Sequence, residues 1–326
     1  MQSIDPTSRI LHQLFAKVWA TGKVPSAWKE GITNSLYKGK DPRNECVSNR
    51  PISFPSDPGK VFAHVLPNRI DPLLRSKRRF EQSGYTPGRS TVDALLALRL
   101  LSEVHHEFSQ PPHVAFVDLK VASDSVDRLV LLKALQGIGI PQYLLYLIED
   151  VHNGFTSSVR TATMQSPSFI TTSGVRQGCV LAPALFCRAI DWIMERVAST
   201  VGFSLGNDHL TDLDYADDVV LLAHAVDDLH TALDIFETTA SKLGSKCVLA
   251  EDKNPLDFKL HALESPTSLG AGDSNASNLS VSGQSVEEVS EFTYLGSVLS
   301  TTGRCQPDVF RRICIASSAV YSMNRV

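Results

Sequence analysis

Two adjacent carboxylates, Asp217 and Asp218, stand in Tyr215-Ala216-Asp217-Asp218, directly before the apolar run Val219-Val220-Leu221-Leu222-Ala223. The run reads as a strand and the pair as the turn that enters it. Asp118 follows a second apolar run, Val114-Ala115-Phe116-Val117. Three aspartates on the rims of two half-buried central strands are a set of hard oxygen donors. Mg²⁺ suits such donors, because it binds through one or two carboxylates and takes its other ligands from water and phosphate. Two cations about 3.5–4 Å apart can stabilise both the attacking and the leaving oxygen of a phosphoryl transfer. An isolated Asp-Asp pair is equally a solvated turn, since Asp is a common turn residue. The elements that carry the pair decide between the two.

Leu11, Phe15 and Trp19 recur four apart within residues 8–20 and predict a helix there. Residues 38–60, rich in Pro, Gly, Asn and Asp, read as a loop that leads into a helix through Val61, Val65, Leu66 and Ile70. A third helix is expected over 90–107, with Ser90 as its N-cap. Then come a strand at 113–118, helices near 125–136 and 142–153, and a weakly alternating hairpin in 157–173. The spacing of Leu185, Ala189, Ile193 and Val197 predicts a long helix over 180–200, and a further helix covers 226–243. Residues 262–285 read as a mobile loop or a poorly formed hairpin, Phe292–Ser297 as a strand or hairpin edge, and a last helix starts near 306. This mixed order predicts an α+β fold, its sheet backed by helices on one face.

The chain has 326 residues, of which 43% are hydrophobic, enough for a substantial core. Its net charge of -4 gives no broad cationic face for phosphate. Arg75-Ser76-Lys77-Arg78-Arg79 is the one local basic run that stands out. The six cysteines, at 46, 179, 187, 247, 305 and 314, include no Cys-x-x-Cys pair. That scatter argues against zinc and a disulfide framework, and fits a reducing compartment. No apolar run reaches 18 residues and the first residues are not a secretory leader, so an intracellular, non-membrane protein is expected.

Several blocks occur in a fixed order. They are Arg50-Pro51-Ile52-Ser53 with Pro58-Gly59-Lys60-Val61-Phe62, then Glu81-Gln82-Ser83-Gly84-Tyr85 with Pro87-Gly88-Arg89-Ser90-Thr91. Phe116-Val117-Asp118-Leu119-Lys120, Ser173-Gly174-Val175-Arg176-Gln177-Gly178-Cys179, Tyr215-Ala216-Asp217-Asp218 and Phe292-Thr293-Tyr294-Leu295-Gly296 follow. In these blocks, from Trp28 to about Ile315, the chain resembles the reverse transcriptase domain of LINE-type (non-LTR, jockey-like) retrotransposons. The resemblance implies a right-hand polymerase fold with a mainly antiparallel palm sheet backed by helices. Fingers would cover 1–105, the palm with a returning fingers segment 106–300, and the start of a truncated thumb 301–326.

It also implies RNA-directed DNA synthesis from an RNA template, a DNA primer and dNTPs, with two Mg²⁺ ions, or Mn²⁺ in their place. Asp118 and Asp217 would be the principal metal ligands. Asp218 would be the third and weaker one, because adjacent strand residues point to opposite faces. Leu119 would offer main-chain groups to the triphosphate. Gln177 and Gly178 would lie beside the nascent base pair, and Lys38, Arg50 and Lys253 would meet the triphosphate. Endonuclease and thumb regions would belong to a longer element protein, and nucleus and cytoplasm would be its compartments.

Three departures from the family pattern stand beside these expectations. Ala122-Ser123-Asp124 has Ser123 where the family carries a Phe that excludes a 2′-hydroxyl, which predicts weaker discrimination against ribonucleotides or a poorly packed site. Ser48-Asn49-Arg50-Pro51 lacks an aromatic between Asn49 and Arg50. Glu251 and Asp252 precede Lys253, and their charge would repel a triphosphate. These leave open an inactive, degenerate remnant, or a nucleic-acid-binding or scaffold protein that keeps the palm fold.

Overall fold

The computed structural model describes residues 6–39, 42, 45, 48–107, 113–119, 122–161, 163–176, 178–205, 208–244, 256–262, 280–281, 284–285, 287–300 and 304–323. The first half contains α1 (Pro6–Thr21), β1 (Glu30–Tyr37), β2 (Asn49–Pro55), α2 (Asp57–Lys77), α3 (Thr91–Glu107) and β3 (His113–Leu119). It continues with α4 (Ala122–Ser125), α5 (Arg128–Gly137), α6 (Gln142–His152), β4 (Thr156–Arg160) and β5 (Phe169–Ile170). The second half has α7 (Ala182–Val197), β6 (Phe203–Leu205), β7 (Asp208–Leu210), β8 (Asp212–Tyr215), β9 (Asp218–Ala223) and α8 (Val226–Gly244). β10 (Leu256–Ala262), β11 (Ser280–Val281), β12 (Gln284–Ser285), β13 (Glu287–Glu288), β14 (Glu291–Tyr294), β15 (Ser297–Ser300) and α9 (Gln306–Met323) close it.

The chain forms two compact units that interleave in sequence. The first comprises residues 1–78, 121–189 and 241–249, and the second 79–120, 190–240 and 250–326. Within the first, β2, β1, β4 and β5 form a sheet in that order. β2 runs antiparallel to β1 and β4 parallel to it. The expected loop over 38–60 therefore contains a strand. Pro51 and Pro55 masked it in the sequence, and its place at the sheet edge is where proline is tolerated. Phe15, Trp28 and Phe62 pack ring against ring at 5.5–5.9 Å. Phe62, Leu66, Ile70 and Leu74 give α2 a buried stripe at four-residue spacing despite Pro67 and Pro72 within the helix. Asp127 caps α5 by accepting the N–H groups of Leu129 and Val130. Arg128, next to it, donates to the carbonyls of His152, Thr171, Ser173 and Gly174 at 2.8–3.0 Å, tying the end of α6 and three loop positions to one guanidinium.

The second unit is built on a five-stranded sheet in the order β13-β10-β3-β9-β8, antiparallel except for the β10–β13 pair. Val114–Val117 of β3 and Val219–Ala223 of β9 are each at most 2% exposed. These strands are buried on both faces, not on one as the sequence reading supposed. Ala94, Leu98 and Leu101 of α3 join Val114, Phe116, Leu213, Val220, Leu222 and Tyr294 in one core cluster. Thr91 opens α3 directly after Ser90, whose N–H donates to Asp93 at 2.6 Å. The β14–β15 hairpin covers the same core: Phe292 stacks on Phe116 with centroids 4.1 Å apart, and the Tyr294 hydroxyl donates to the Leu213 carbonyl at 3.2 Å. Of the loop or hairpin expected at 262–285, residues 263–279, 282 and 283 lie outside the described residues, and β11 pairs antiparallel with β12 at its end.

Candidate active site

The β8–β9 hairpin carries the aspartate pair. Tyr215 pairs with Asp218, leaving Ala216 and Asp217 as a two-residue turn. Ala216 is 5% exposed and holds φ +61°, a left-handed backbone uncommon for a residue with a side chain. Asp217 and Asp218 are exposed. Across the sheet, Asp118 of β3 lies in register with Asp218, and Asp257 of β10 lies in register with Asp118. Directly opposed residues of an antiparallel ladder have Cα atoms about 4.5–5.5 Å apart. Residues of three strands that end at one sheet edge are thus gathered by register. The backbone of Asp118 is described and its side chain is not. Asp217 sits in the turn, so strand alternation does not rank it against Asp218. Among the described residues, no three His, Cys, Asp or Glu side chains are arranged to hold a metal ion. The donor chemistry nonetheless fits hard divalent cations: two exposed carboxylates stand on a rim whose preceding and following residues are buried.

Beneath the turn lies an ion-pair network that sequence reasoning missed. Asp212 and Asp214 are fully buried in β8. Arg79, with a side chain 10% exposed, donates to Asp214 at 2.9 Å and to Asp212, with Glu81 3.5 Å away. Burial works against the Arg79 charge, but the two aspartates more than offset it and raise its affinity for the proton. Burial, aided by the Asp212 charge, raises the Asp214 carboxyl well above the usual carboxylate range despite Arg79. The signal in the sequence was the spacing Asp212-Leu213-Asp214 inside a strand with no solvent face: two buried acids demand a cation. Arg79 is therefore not part of a phosphate-facing basic patch, and Arg75 pairs with Asp71 at 2.5 Å. The segment Glu81–Ser83 runs alongside β8. Asp214 donates its N–H to the Glu81 carbonyl at 3.2 Å, and its own carbonyl accepts the Ser83 N–H and hydroxyl at 2.9 and 2.8 Å.

The residues expected to meet a nucleotide are distributed as follows. Leu119, half-buried, ends β3 in the second unit. In the first unit, Lys38 follows β1 and donates its N–H to the Ser48 carbonyl at 2.8 Å. Arg50 lies in β2 opposite Leu36, and both basic side chains are exposed. Ser123 is half-buried in α4, and its carbonyl accepts the Val175 N–H at 2.8 Å. Gly178 holds φ +93°, and a Cβ there would meet the Ser53 carbonyl oxygen at 2.6 Å. At Gly174, φ is +76° and a Cβ would lie 2.6 Å from the Asp124 backbone. Both glycines thus let the chain pack on its own backbone. Arg176 between them is buried over the Phe155 ring and donates to the Val151 carbonyl, so it is a packing residue. Gln177 and Lys253 lie outside the described residues.

Comparison with known proteins identifies the family and the fold. Residues 38–299 match the family model described as reverse transcriptase (RNA-dependent DNA polymerase). The chain is 26% identical over 265 residues to the Pol polyprotein of the type-2 retrotransposable element R2DM of Drosophila melanogaster, covering 79% of this chain and 24% of that protein. It is 28% identical to the R2 polyprotein of Nasonia vitripennis, over 72% of this chain and 22% of the relative. A 149 kDa protein of transposon TX1 of Xenopus laevis is 26% identical, over 76% of this chain and 19% of its own length. The chain spans about a quarter of the length of such relatives. Among solved structures, apo telomerase from Candida tropicalis superimposes with a TM-score of 0.56 at 13% identity, covering 90% of this chain and 59% of that one. That likeness bears out the α+β right-hand polymerase fold expected from the sequence. With a family model spanning most of its length, this chain belongs to the reverse transcriptase (RNA-dependent DNA polymerase) family.

Proposed function

We propose that this chain is the polymerase unit of a non-LTR retrotransposon protein. It extends a DNA primer on an RNA template from dNTPs, within the nucleus and cytoplasm. The observation that carries this reading is the register that sets Asp118 opposite Asp218, with Asp217 in the adjoining turn. Asp118, Asp217 and Asp218 would hold two Mg²⁺ ions, for which Mn²⁺ can substitute. When bound, such ions neutralise charge on the attacking and leaving oxygens of the phosphoryl transfer. The protein's own part is positioning: this chemistry asks chiefly for alignment and charge compensation. Lys38, Arg50 and Lys253 would bind triphosphate oxygens. Leu119 would offer main-chain groups to the nucleotide, and Gln177 with Gly178 would border the new base pair. Ser123 would leave room for a 2′-hydroxyl. The resemblance assigns fingers to 1–105, palm to 106–300 and the start of a thumb to 301–326.

The test is primer extension on a poly(rA)/oligo(dT) hybrid with Mg²⁺, comparing the parent with Asp217→Ala. Extension by the parent alone supports the reading. No extension by a folded parent would instead favour a remnant that keeps the fold without the activity, the reading to which the Ser123 departure points.

A further inference from the structure

Gln82 is 1% exposed and belongs to no strand or helix, yet its carboxamide meets both main-chain groups of Ala216. Its Oε1 accepts the Ala216 N–H at 2.9 Å, and its Nε2 donates more loosely to the Ala216 carbonyl at 3.5 Å. The same Oε1 accepts the Gly84 N–H at 2.9 Å, which fixes the carboxamide plane. Ala216 is the residue before Asp217, and its φ of +61° places it in the left-handed region. A side-chain-bearing residue enters that region only when its surroundings hold it there. The loop is also pressed against the turn: a Cβ at Gly84 would lie 2.3 Å from the Ala216 nitrogen and 2.9 Å from its Cα. Glutamine combines donor and acceptor in one planar group, with the reach to satisfy a buried peptide from the side.

We propose that Gln82 is a positioning residue that holds the Ala216–Asp217 turn in the conformation by which Asp217 and Asp218 present their carboxylates to divalent cations. The inference rests on the aspartate reading given above. Gln82 acts through the backbone and touches no substrate. A purely structural residue at this place would lower stability without altering metal affinity, whereas a positioning residue alters both.

The experiment is calorimetric titration of the full chain with Mn²⁺ in the absence of nucleotide. It is paired with hydrogen exchange of the peptide containing Ala216 and with thermal unfolding. Asp217→Ala, Gln82→Met and Gln82→Glu are compared with the parent. Met matches the length of Gln without its polar atoms, and Glu keeps the accepting oxygen. We expect Gln82→Met to bind Mn²⁺ at least about tenfold more weakly and to speed exchange at Ala216, and Gln82→Glu to stay within about threefold of the parent. Should Gln82→Met not fold, Gln82→Asn, one methylene short of Ala216, takes its place with the same expectation. Mn²⁺ binding by a folded Gln82 variant as tight as the parent's, while Asp217→Ala weakens it, overturns the role of Gln82 and leaves the aspartate site standing. Unchanged Mn²⁺ binding in Asp217→Ala overturns the aspartate reading itself. Faster Ala216 exchange in Gln82→Met would then leave Gln82 as a turn staple with no metal to serve, and the inference falls by that separate arm.

Discussion

Asp217 is a metal ligand in the proposed function, and its side chain lies at the surface. It is exposed in a turn, and exposed substitutions away from caps and core change stability by about 0.5 kcal/mol or less. Asp217→Ala should therefore leave the thermal midpoint within about 2 °C of the parent while lowering nucleotide incorporation by about a thousandfold or more. A large drop in the midpoint would mean that the carboxylate is structural. Ser123 makes the opposite kind of case. Its carbonyl is committed to the Val175 N–H, but its side chain is small and only half-buried. Restoring bulk with Ser123→Phe should raise the preference for dTTP over rUTP by about tenfold, measured as the ratio of the two kcat/KM values. One lost or gained steric contact is worth about that much discrimination. An unchanged ratio would remove Ser123 from sugar selection.

At the scale of elements, two clusters built around buried aspartates hold the hairpins, with opposite pH signatures. Removing the cation in Arg79→Met leaves Asp212 and Asp214 buried without it, and should cost about 3–5 kcal/mol in urea unfolding. Asp214 takes up its proton more readily in the folded protein, through burial and then the Asp212 charge. Its contribution is therefore full below the unfolded value of 3.8 and is lost as pH rises through its folded value. Asp308 runs the other way. Burial alone would raise it, but hydrogen bonds from the Val298 N–H, the Ser297 hydroxyl and Arg312 hold it at about 2. This contact fastens the N-terminal turn of α9 to β15, with the Val298 N–H 2.9 Å and the Ser297 hydroxyl 2.7 Å from the carboxylate. Its stabilisation is present above 3.8 and lost as pH falls through about 2. Asp308→Asn should cost about 1–3 kcal/mol near neutral pH, and that difference from the parent should shrink as the pH falls toward 2. A difference that is constant with pH would mean the carboxylate charge plays no part.

For the whole molecule, a net charge of -4 means that any grip on a hybrid comes from local cations. Phosphate contacts release counterions, so even two or three of them make affinity fall about tenfold or more between 50 and 200 mM salt. Filter binding of an RNA–DNA hybrid should follow that slope, and Arg79→Met should leave the slope unchanged because Arg79 is committed to buried aspartates. A flat salt dependence would mean that the described basic residues do not touch phosphate. Among the described residues no helix is long and apolar enough to cross a membrane, in line with the absence of an apolar run of 18 in the sequence.

Much of this was written in the chain's local patterns. Helical stripes such as Leu185, Ala189, Ile193 and Val197, the helix start after Ser90, and the apolar runs before Asp118 and after Asp218 depend on neighbours a few residues apart. Periodicity and turn chemistry report such features directly. The order of blocks was enough to indicate the family. Pairing over long separations was not legible. The register that sets Asp118 against Asp218 depends on how two buried strands align. β2 was hidden by prolines that only an edge position permits. The role of Arg79 could not be seen either, since a basic run looks solvated until Asp212 and Asp214 are found buried against it. Gln82 is the sharpest instance: a carboxamide with no local signature became the partner of a strained peptide 134 residues away. Tertiary structure alone decided that contact, because a buried peptide group needs a hydrogen-bond partner and only the folded chain determines which side chain arrives there.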